Sequence, residues 1–111
     1  MNTIYLAGPM SGIPQHNFPA FKTAAYTLRR EGHTVFSPAE LDIELYGAEI
    51  FEKNNGEPMP EVDPRVVIKN DLNWIIDHAD TLALLPGWTN SKGCAVESAL
   101  AHFLGLKILY L

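Results

Sequence analysis

Two acidic residues, Glu97 and Asp71, are of the type found in carboxylate pairs that act on a sugar. Glu97 lies four residues after Gly93 on one face of a predicted helix. Asp71 borders the apolar face that Leu72 and Ile75 define on another predicted helix. In a two-carboxylate glycosyl mechanism, one group attacks the anomeric carbon and the other protonates the leaving group. The alternatives are acids that accept hydrogen bonds from ribose hydroxyls, or ordinary solvated helix residues.

Two short loops follow strand-like runs and offer backbone groups to a ligand. Glycines let backbone amides approach a ligand closely, and Ser and Asn residues before a helix leave its free amides available to an anion. Neither loop is a Walker loop or a complete G-x-G-x-x-G fingerprint, so ATP hydrolysis and NAD chemistry are poorly supported. Ordinary strand-to-helix turns are the alternative. The ligand-binding residues predicted in these loops are Gly8, Pro9, Met10, Ser11, Gly12, Trp88, Thr89, Asn90, Ser91 and Gly93.

Aromatic side chains near these loops are candidates for stacking on a base. Trp88 is predicted at a loop tip, where an indole either covers a ligand or packs against an oligomer partner. Phe21 and Trp74 are the other stacking candidates, and Tyr5 and Asn17 complete the predicted ligand-binding set.

Other catalytic chemistries find little support in the sequence. The four histidines lack metal-ligand spacing, so no metal site is predicted. The single cysteine, Cys94, is typical of a small buried helix residue. No G-x-S-x-G elbow is present, which argues against a serine hydrolase. His16 follows the first loop and is a candidate for ligand contact.

The order of apolar runs predicts the elements that must position these residues. Strand-like runs at 3–7, 33–36, 81–85 and 106–111 alternate with helical patterns at 17–31, 64–78 and 91–104. This alternation predicts one α/β domain over residues 1–111 with a small, doubly wound, flavodoxin- or Rossmann-like sheet of four parallel strands, in the order 2-1-3-4. The two loops then meet at the switch point between strands 1 and 3, where such sheets bind ligands.

The charge distribution qualifies the net charge of −5. Residues 40–63 hold eight acids and one lysine, a net −7, and the remaining residues carry five acids and seven bases, a net +2. We interpret residues 38–63 as an acidic insertion that forms a short helix or a flap. The acidic total argues against general nucleic-acid binding, but the core is still compatible with an anionic ligand. With no visible signal peptide or membrane span, a cytoplasmic protein is expected.

Four stretches in chain order carry a family likeness: residues 5–9 (Tyr-Leu-Ala-Gly-Pro), 70–74 (Asn-Asp-Leu-Asn-Trp), 79–80 (Ala-Asp) and 93–97 (Gly-Cys-Ala-Val-Glu). They resemble the nucleoside 2-deoxyribosyltransferase superfamily, which includes deoxynucleotide N-glycosidases. The resemblance implies that Glu97 attacks the sugar, that Asp71 assists the leaving base, and that the first loop holds substrate.

The loops Gly-Pro-Met-Ser-Gly and Gly-Trp-x-x-Ser-x-Gly resemble a compact, often phage-encoded branch that includes the Thoeris anti-defence sponges. That likeness implies capture of cyclic ADP-ribose-type signals, and sometimes cyclic oligonucleotides, without turnover. It also implies homo-oligomers, dimers or tetramers, with shared pockets, in the cytoplasm of an infected bacterial host.

We therefore favour a nucleotide sponge without a cofactor. The alternative is a nucleoside or deoxynucleotide N-glycosidase or 2-deoxyribosyltransferase with Glu97 and Asp71 as catalytic residues. A binding module for another nucleotide and a structural interaction protein are further hypotheses.

Overall fold

The computed structural model describes residues 1–111 and contains four strands and five helices. Short 3-10 turns at Gln15–Asn17 and Trp88–Asn90 precede two of the helices. The strands are β1 (Thr3–Ala7), β2 (Thr34–Phe36), β3 (Thr81–Leu84) and β4 (Lys107–Tyr110). The helices are α1 (Phe18–Arg30), α2 (Pro38–Tyr46), α3 (Glu49–Glu52), α4 (Pro64–His78) and α5 (Lys92–Leu104).

The sheet confirms the predicted topology. All strand pairs are parallel, and the spatial order is β2-β1-β3-β4. Leu6 in β1 is paired with Ala83 in β3, so the two central strands end side by side. The loops that follow these strands therefore begin at the same edge of the sheet.

Alternate side chains of the buried central strands enter two apolar clusters. Ile4 and Leu6 pack with the α1 residues Phe21 and Leu28 in one cluster. Tyr5 belongs to the other cluster, which also contains residues of β3, α4 and α5. This packing directs the Tyr5 side chain towards α4 and α5, the helices that carry Asp71 and Glu97.

Polar side chains cap the two helices that carry those carboxylates. Asp63 Oδ1 accepts a 2.9 Å hydrogen bond from the Arg65 amide at the start of α4. Ser91 Oγ accepts one of 3.2 Å from the Cys94 amide at the start of α5. These caps set the first turn, and thereby the rotation, of each helix.

The acidic segment at 38–63 forms α2, α3 and an irregular connection to α4. It is tied to the first loop region by a 2.6 Å hydrogen bond from the Gln15 amide to the Asn54 carbonyl, beside an isolated bridge between Pro14 and Asn55. The segment thus lies against the predicted ligand edge. No helix in the chain is long and apolar enough to cross a membrane.

Candidate functional site

A cleft of about 870 Å³ opens at the edge of the sheet where β1 and β3 end. Its walls include both predicted loops, α4, α5 and part of the acidic segment. The structure therefore brings together most of the residues that the sequence singled out. Those that line the cleft are Tyr5, Gly8, Pro9, Met10, Ser11, Gly12, Asp71, Asn90, Ser91, Gly93 and Glu97.

The base of the cleft holds a short hydrogen bond between two buried side chains. The Tyr5 hydroxyl donates to Glu97 Oε2 at 2.6 Å, and the two residues are 0% and 5% exposed. The Tyr5 ring stacks on Phe36 with centroids 5.5 Å apart, and Phe36 stacks in turn on Trp74 at 4.8 Å. This aromatic packing holds the phenol in place, so that Glu97 is oriented before any ligand arrives.

Burial opposes ionisation of Glu97. Removal from water raises its pKa to about 8, while the hydrogen bond from Tyr5 lowers it and the charge of Asp71 raises it. Burial, followed by the charge of Glu97, also raises the pKa of Tyr5 well above its usual range. Tyr5 is therefore a neutral hydrogen-bond donor at physiological pH, and its single proton is directed to Glu97.

Two aspartates share the cleft with Glu97. Asp71, on α4, is 5% exposed, and Asp42, on α2, is 3% exposed. Burial raises the pKa of Asp71 to about 6, against a lowering effect of Tyr5. Burial, with the charge of Asp71 second, raises the pKa of Asp42 to about 7. Such raised carboxyl pKa values are frequent at sites that bind or transfer protons.

The exposed part of the cleft wall carries two cations, beside the acid Glu57. Arg65 lies at the start of α4 and Lys92 at the start of α5, and both are exposed cleft residues. Helix N-termini favour negative charge through their free amides. The cleft therefore has an acidic base and two cations at the helix starts on its rim, which suits a ligand with hydrogen-bond donors at one end and an anionic group at the other.

Close packing requires glycine at one position of the first loop. A Cβ on Gly8 would approach Leu85 Cβ at 2.9 Å and Phe21 Cζ at 3.1 Å. Gly12 has φ +81° and open space around it, so only its backbone conformation favours glycine there. We predicted that the loop glycines allow close approach of a ligand, but Gly8 is required by the core beneath it.

Three consecutive residues after the first loop adopt left-handed backbone conformations. Gln15, His16 and Asn17 have φ values of 56°, 54° and 60°, a conformation that is uncommon outside glycine and usually maintained by its surroundings. The Asn17 amide nitrogen donates to the Pro9 carbonyl at 2.8 Å. This turn places the imidazole of His16 in the cleft wall, against Phe51 with ring centroids 5.4 Å apart.

Five of the predicted ligand-binding residues lie away from the cleft wall. Phe21 is fully buried in the core, and Trp74 is half-buried against Phe36. Trp88 is half-buried, and its ring lies 6.0 Å from that of Tyr110. Asn17 supports the first loop, and Thr89 is exposed in the turn before α5. Contact of these five residues with a ligand stays a prediction. In the structure, four of them have packing or supporting contacts, and Thr89 faces solvent.

Sequence reasoning missed Asp42, which it left among the acids of the insertion. The available signal was slight: Asp42 is three residues after Ala39, so the two share a helix face, and Ala39 is buried in the core. Met59 and Val62, from the same segment, supply apolar parts of the cleft wall. The acidic insertion is therefore part of the candidate site.

Other features of the molecule lie outside this chemistry. No group of three His, Cys, Asp or Glu side chains is arranged to hold a metal ion. Burial raises the pKa of Cys94 to about 11, so its thiol is neutral at physiological pH. A second cavity, of about 490 Å³, lies between α1, α2 and α3 and contains none of the predicted site residues.

Comparison with known proteins places the chain in a sequence family. No curated protein and no solved structure matches it significantly. A family model does match, over residues 2–110, which includes every element of the sheet and every residue of the cleft. The chain belongs to the family described as "Domain of unknown function (DUF4406)".

Proposed function

We propose that this protein cleaves or transfers the N-glycosidic bond of a nucleoside or nucleotide, with Glu97 as nucleophile and Asp71 as general acid. The observation that carries the proposal is the buried Tyr5–Glu97 hydrogen bond beside Asp71 at the base of a ligand-sized cleft. A solvated helix glutamate would have no need of such an environment. The likeness of residues 5–9, 70–74 and 93–97 to the nucleoside 2-deoxyribosyltransferase superfamily supports the same roles.

The chemistry proceeds in two balanced steps. In the first, a Glu97 carboxylate oxygen forms a bond to the anomeric carbon while the bond from that carbon to the base nitrogen breaks. The electron pair of the broken bond goes to the base, which takes the proton of Asp71. In the second step, water or another base attacks the anomeric carbon, the electron pair of the sugar–Glu97 bond returns to the carboxylate, and the proton of the attacking group goes to Asp71.

A chromatographic assay of free base tests this proposal. The substrates are 2′-deoxyribonucleosides, ribonucleosides and the 5′-monophosphates of both. We expect base release from at least one class and a loss of at least about 100-fold with Glu97→Gln. Glu44→Gln makes the same change at an exposed position and serves as the control. Absence of base release across the whole panel would count against the proposal.

Capture of a nucleotide without turnover is the second candidate. The cleft volume of about 870 Å³ is near the upper end for small-molecule sites and favours a ligand larger than one nucleoside. Incubation with cyclic ADP-ribose isomers and cyclic oligonucleotides, followed by denaturation and chromatography, separates the two functions. A sponge returns the ligand intact in stoichiometric amount, whereas a glycosidase returns cleaved products.

We also propose that the protein assembles as a homo-oligomer in the cytoplasm. The outward face of α5 carries Ala95, Val96, Ala99 and Phe103, all exposed, with Phe103 86% exposed. Contiguous exposed apolar surface is typical of interfaces. Val96 also lines the cleft, so a partner seated on this face would adjoin the ligand site.

A further inference from the structure

The imidazole of His16 is a buried polar group in the cleft wall that has no hydrogen-bond partner. The residue is 7% exposed, and it lines the cleft but not the second cavity. Neither of its ring nitrogens takes part in a hydrogen bond. Ser37 Oγ is the one fully enclosed side-chain polar atom without a partner, so the nitrogens of His16 are not fully enclosed. The open part of the ring therefore faces the cleft.

Aromatic neighbours and an uncommon backbone turn hold this imidazole in place. Phe18 meets the ring edge-on with centroids 5.7 Å apart, and Phe51 lies at 5.4 Å. The φ of His16, 54°, is the middle one of three left-handed values. The Gln15 amide bonds the acidic segment at 2.6 Å, and the Asn17 side chain bonds the first loop at 2.8 Å. Such a conformation persists only where its surroundings enforce it, and it is frequent at ligand sites.

The chemistry of this imidazole suits an uncharged polar group of the ligand. Burial lowers the pKa of His16 from 6.5, so the ring is neutral at physiological pH and carries one donor and one acceptor. An anionic group finds its cations elsewhere, in Arg65 and Lys92 at the helix starts. The sugar, in the proposed function, lies against Asp71 and Glu97 at the base of the cleft. The part of a nucleotide that remains for His16 is the base.

We propose that His16 hydrogen-bonds the polar edge of the nucleobase and so determines which ring the cleft accepts. The placement of the base rests on the proposed function. Other neutral polar side chains of the wall are less suited to this role: Ser11 and Asn90 are exposed, Ser91 caps α5, and Tyr5 donates to Glu97. A buried polar group that a ligand leaves unpaired costs free energy, so a ring without a polar edge binds less tightly.

Equilibrium binding to the Glu97→Gln protein, which is expected to leave the ligand intact, tests this contact. The probes are ribo- and 2′-deoxyribonucleoside 5′-monophosphates, and the C-riboside 5′-monophosphate in which a phenyl ring replaces the base. We expect at least one nucleotide to bind about tenfold more tightly than the phenyl compound, and we expect an added His16→Phe change to abolish that preference. His78→Phe makes the same change at an exposed residue outside the cleft and should retain the preference.

Nitrogen-15 NMR of histidine-labelled protein decides the outcome if His16→Phe does not fold. Asparagine tolerates left-handed backbone, so the His16→Asn protein identifies the His16 signals by their absence. We expect a ring nitrogen of His16 to change its chemical shift with the bound nucleotide but not with the phenyl compound.

The outcomes separate this inference from the proposed function. A preference that survives His16→Phe, or unshifted His16 nitrogens in the presence of a bound nucleotide, would overturn the base contact and leave the proposed function standing. A confirmed contact with no base release by the wild-type protein would overturn the proposed function alone. Failure of every nucleotide to bind would overturn both.

Discussion

The Tyr5 hydroxyl lies 2.6 Å from Glu97 Oε2 and donates its only proton to that carboxylate. This bond joins the first strand of the chain to its last helix. The bond favours the ionised form of Glu97, although burial raises the pKa of that acid to about 8, above the values of about 7 and about 6 for Asp42 and Asp71.

Replacement of Tyr5 by Phe tests this relationship. The phenyl ring preserves the stack on Phe36, but Glu97 loses its donor, so its pKa rises further. Hydrogen bonds to charged groups contribute about 1.5–3 kcal/mol, and we expect base release to fall roughly 10- to 100-fold. Tyr26→Phe removes an exposed hydroxyl and provides the matched control. Equal rates in the two variants would contradict a role for the Tyr5 hydroxyl.

The pH dependence of stability follows from the raised pKa values of the buried acids. A raised pKa means that the folded state binds more protons than the unfolded state, so the free energy of unfolding falls as pH rises through the folded-state value. Burial lowers the pKa of His16 from 6.5, and this shift makes the free energy of unfolding rise with pH. The effect of the acids on stability is therefore clearest above pH 6.5.

Urea unfolding between pH 6.5 and about pH 9 therefore measures the contributions of Asp42, near 7, and Glu97, near 8. We expect the free energy of unfolding to fall by on the order of a few kcal/mol. The Glu97→Gln protein should show a smaller fall, and the Glu44→Gln protein the same fall as wild type. A free energy of unfolding that rises across this range would show that the acids are ionised in the folded protein and have hydrogen-bond partners there.

Two glycines that both line the cleft are expected to respond differently to alanine. Gly8→Ala forces a Cβ to within 3 Å of Leu85 and should destabilise the fold by about 1–3 kcal/mol. Gly93→Ala meets only Ser91 Oγ, at 3.8 Å, and improves helix propensity by about 1 kcal/mol. Thermal unfolding measures both effects. Loss of ligand binding in a stable Gly93→Ala protein would show that the ligand approaches the start of α5.

The oligomer prediction is tested on the outward face of α5. Phe103→Glu places a charge on the most exposed large side chain of the apolar face and should shift the protein towards a monomer, as measured by light scattering after size-exclusion chromatography. Tyr26→Glu changes an exposed aromatic residue on α1 and should leave the assembly unchanged. A wild-type protein that is monomeric at all concentrations would refute the prediction.

The topology of the sheet could be predicted from the sequence, because short apolar runs and helical periodicity report burial locally. It predicted the strand order and the convergence of both loops at one edge. It also singled out Tyr5, Asp71 and Glu97, which the fold assembles in one cleft.

Which side chains line the cleft and which pack behind it depends on how distant segments come together in the fold. Asp42 is one acid among eight in its segment, and its burial depends on where the fold places α2 at the cleft, which no local pattern reports. Phe21, Trp74 and Trp88 have the chemistry of base-stacking residues, yet their rings are used in packing. The sequence specifies the type of each side chain, but the direction of that side chain and its removal from water depend on contacts between segments that are distant in the chain.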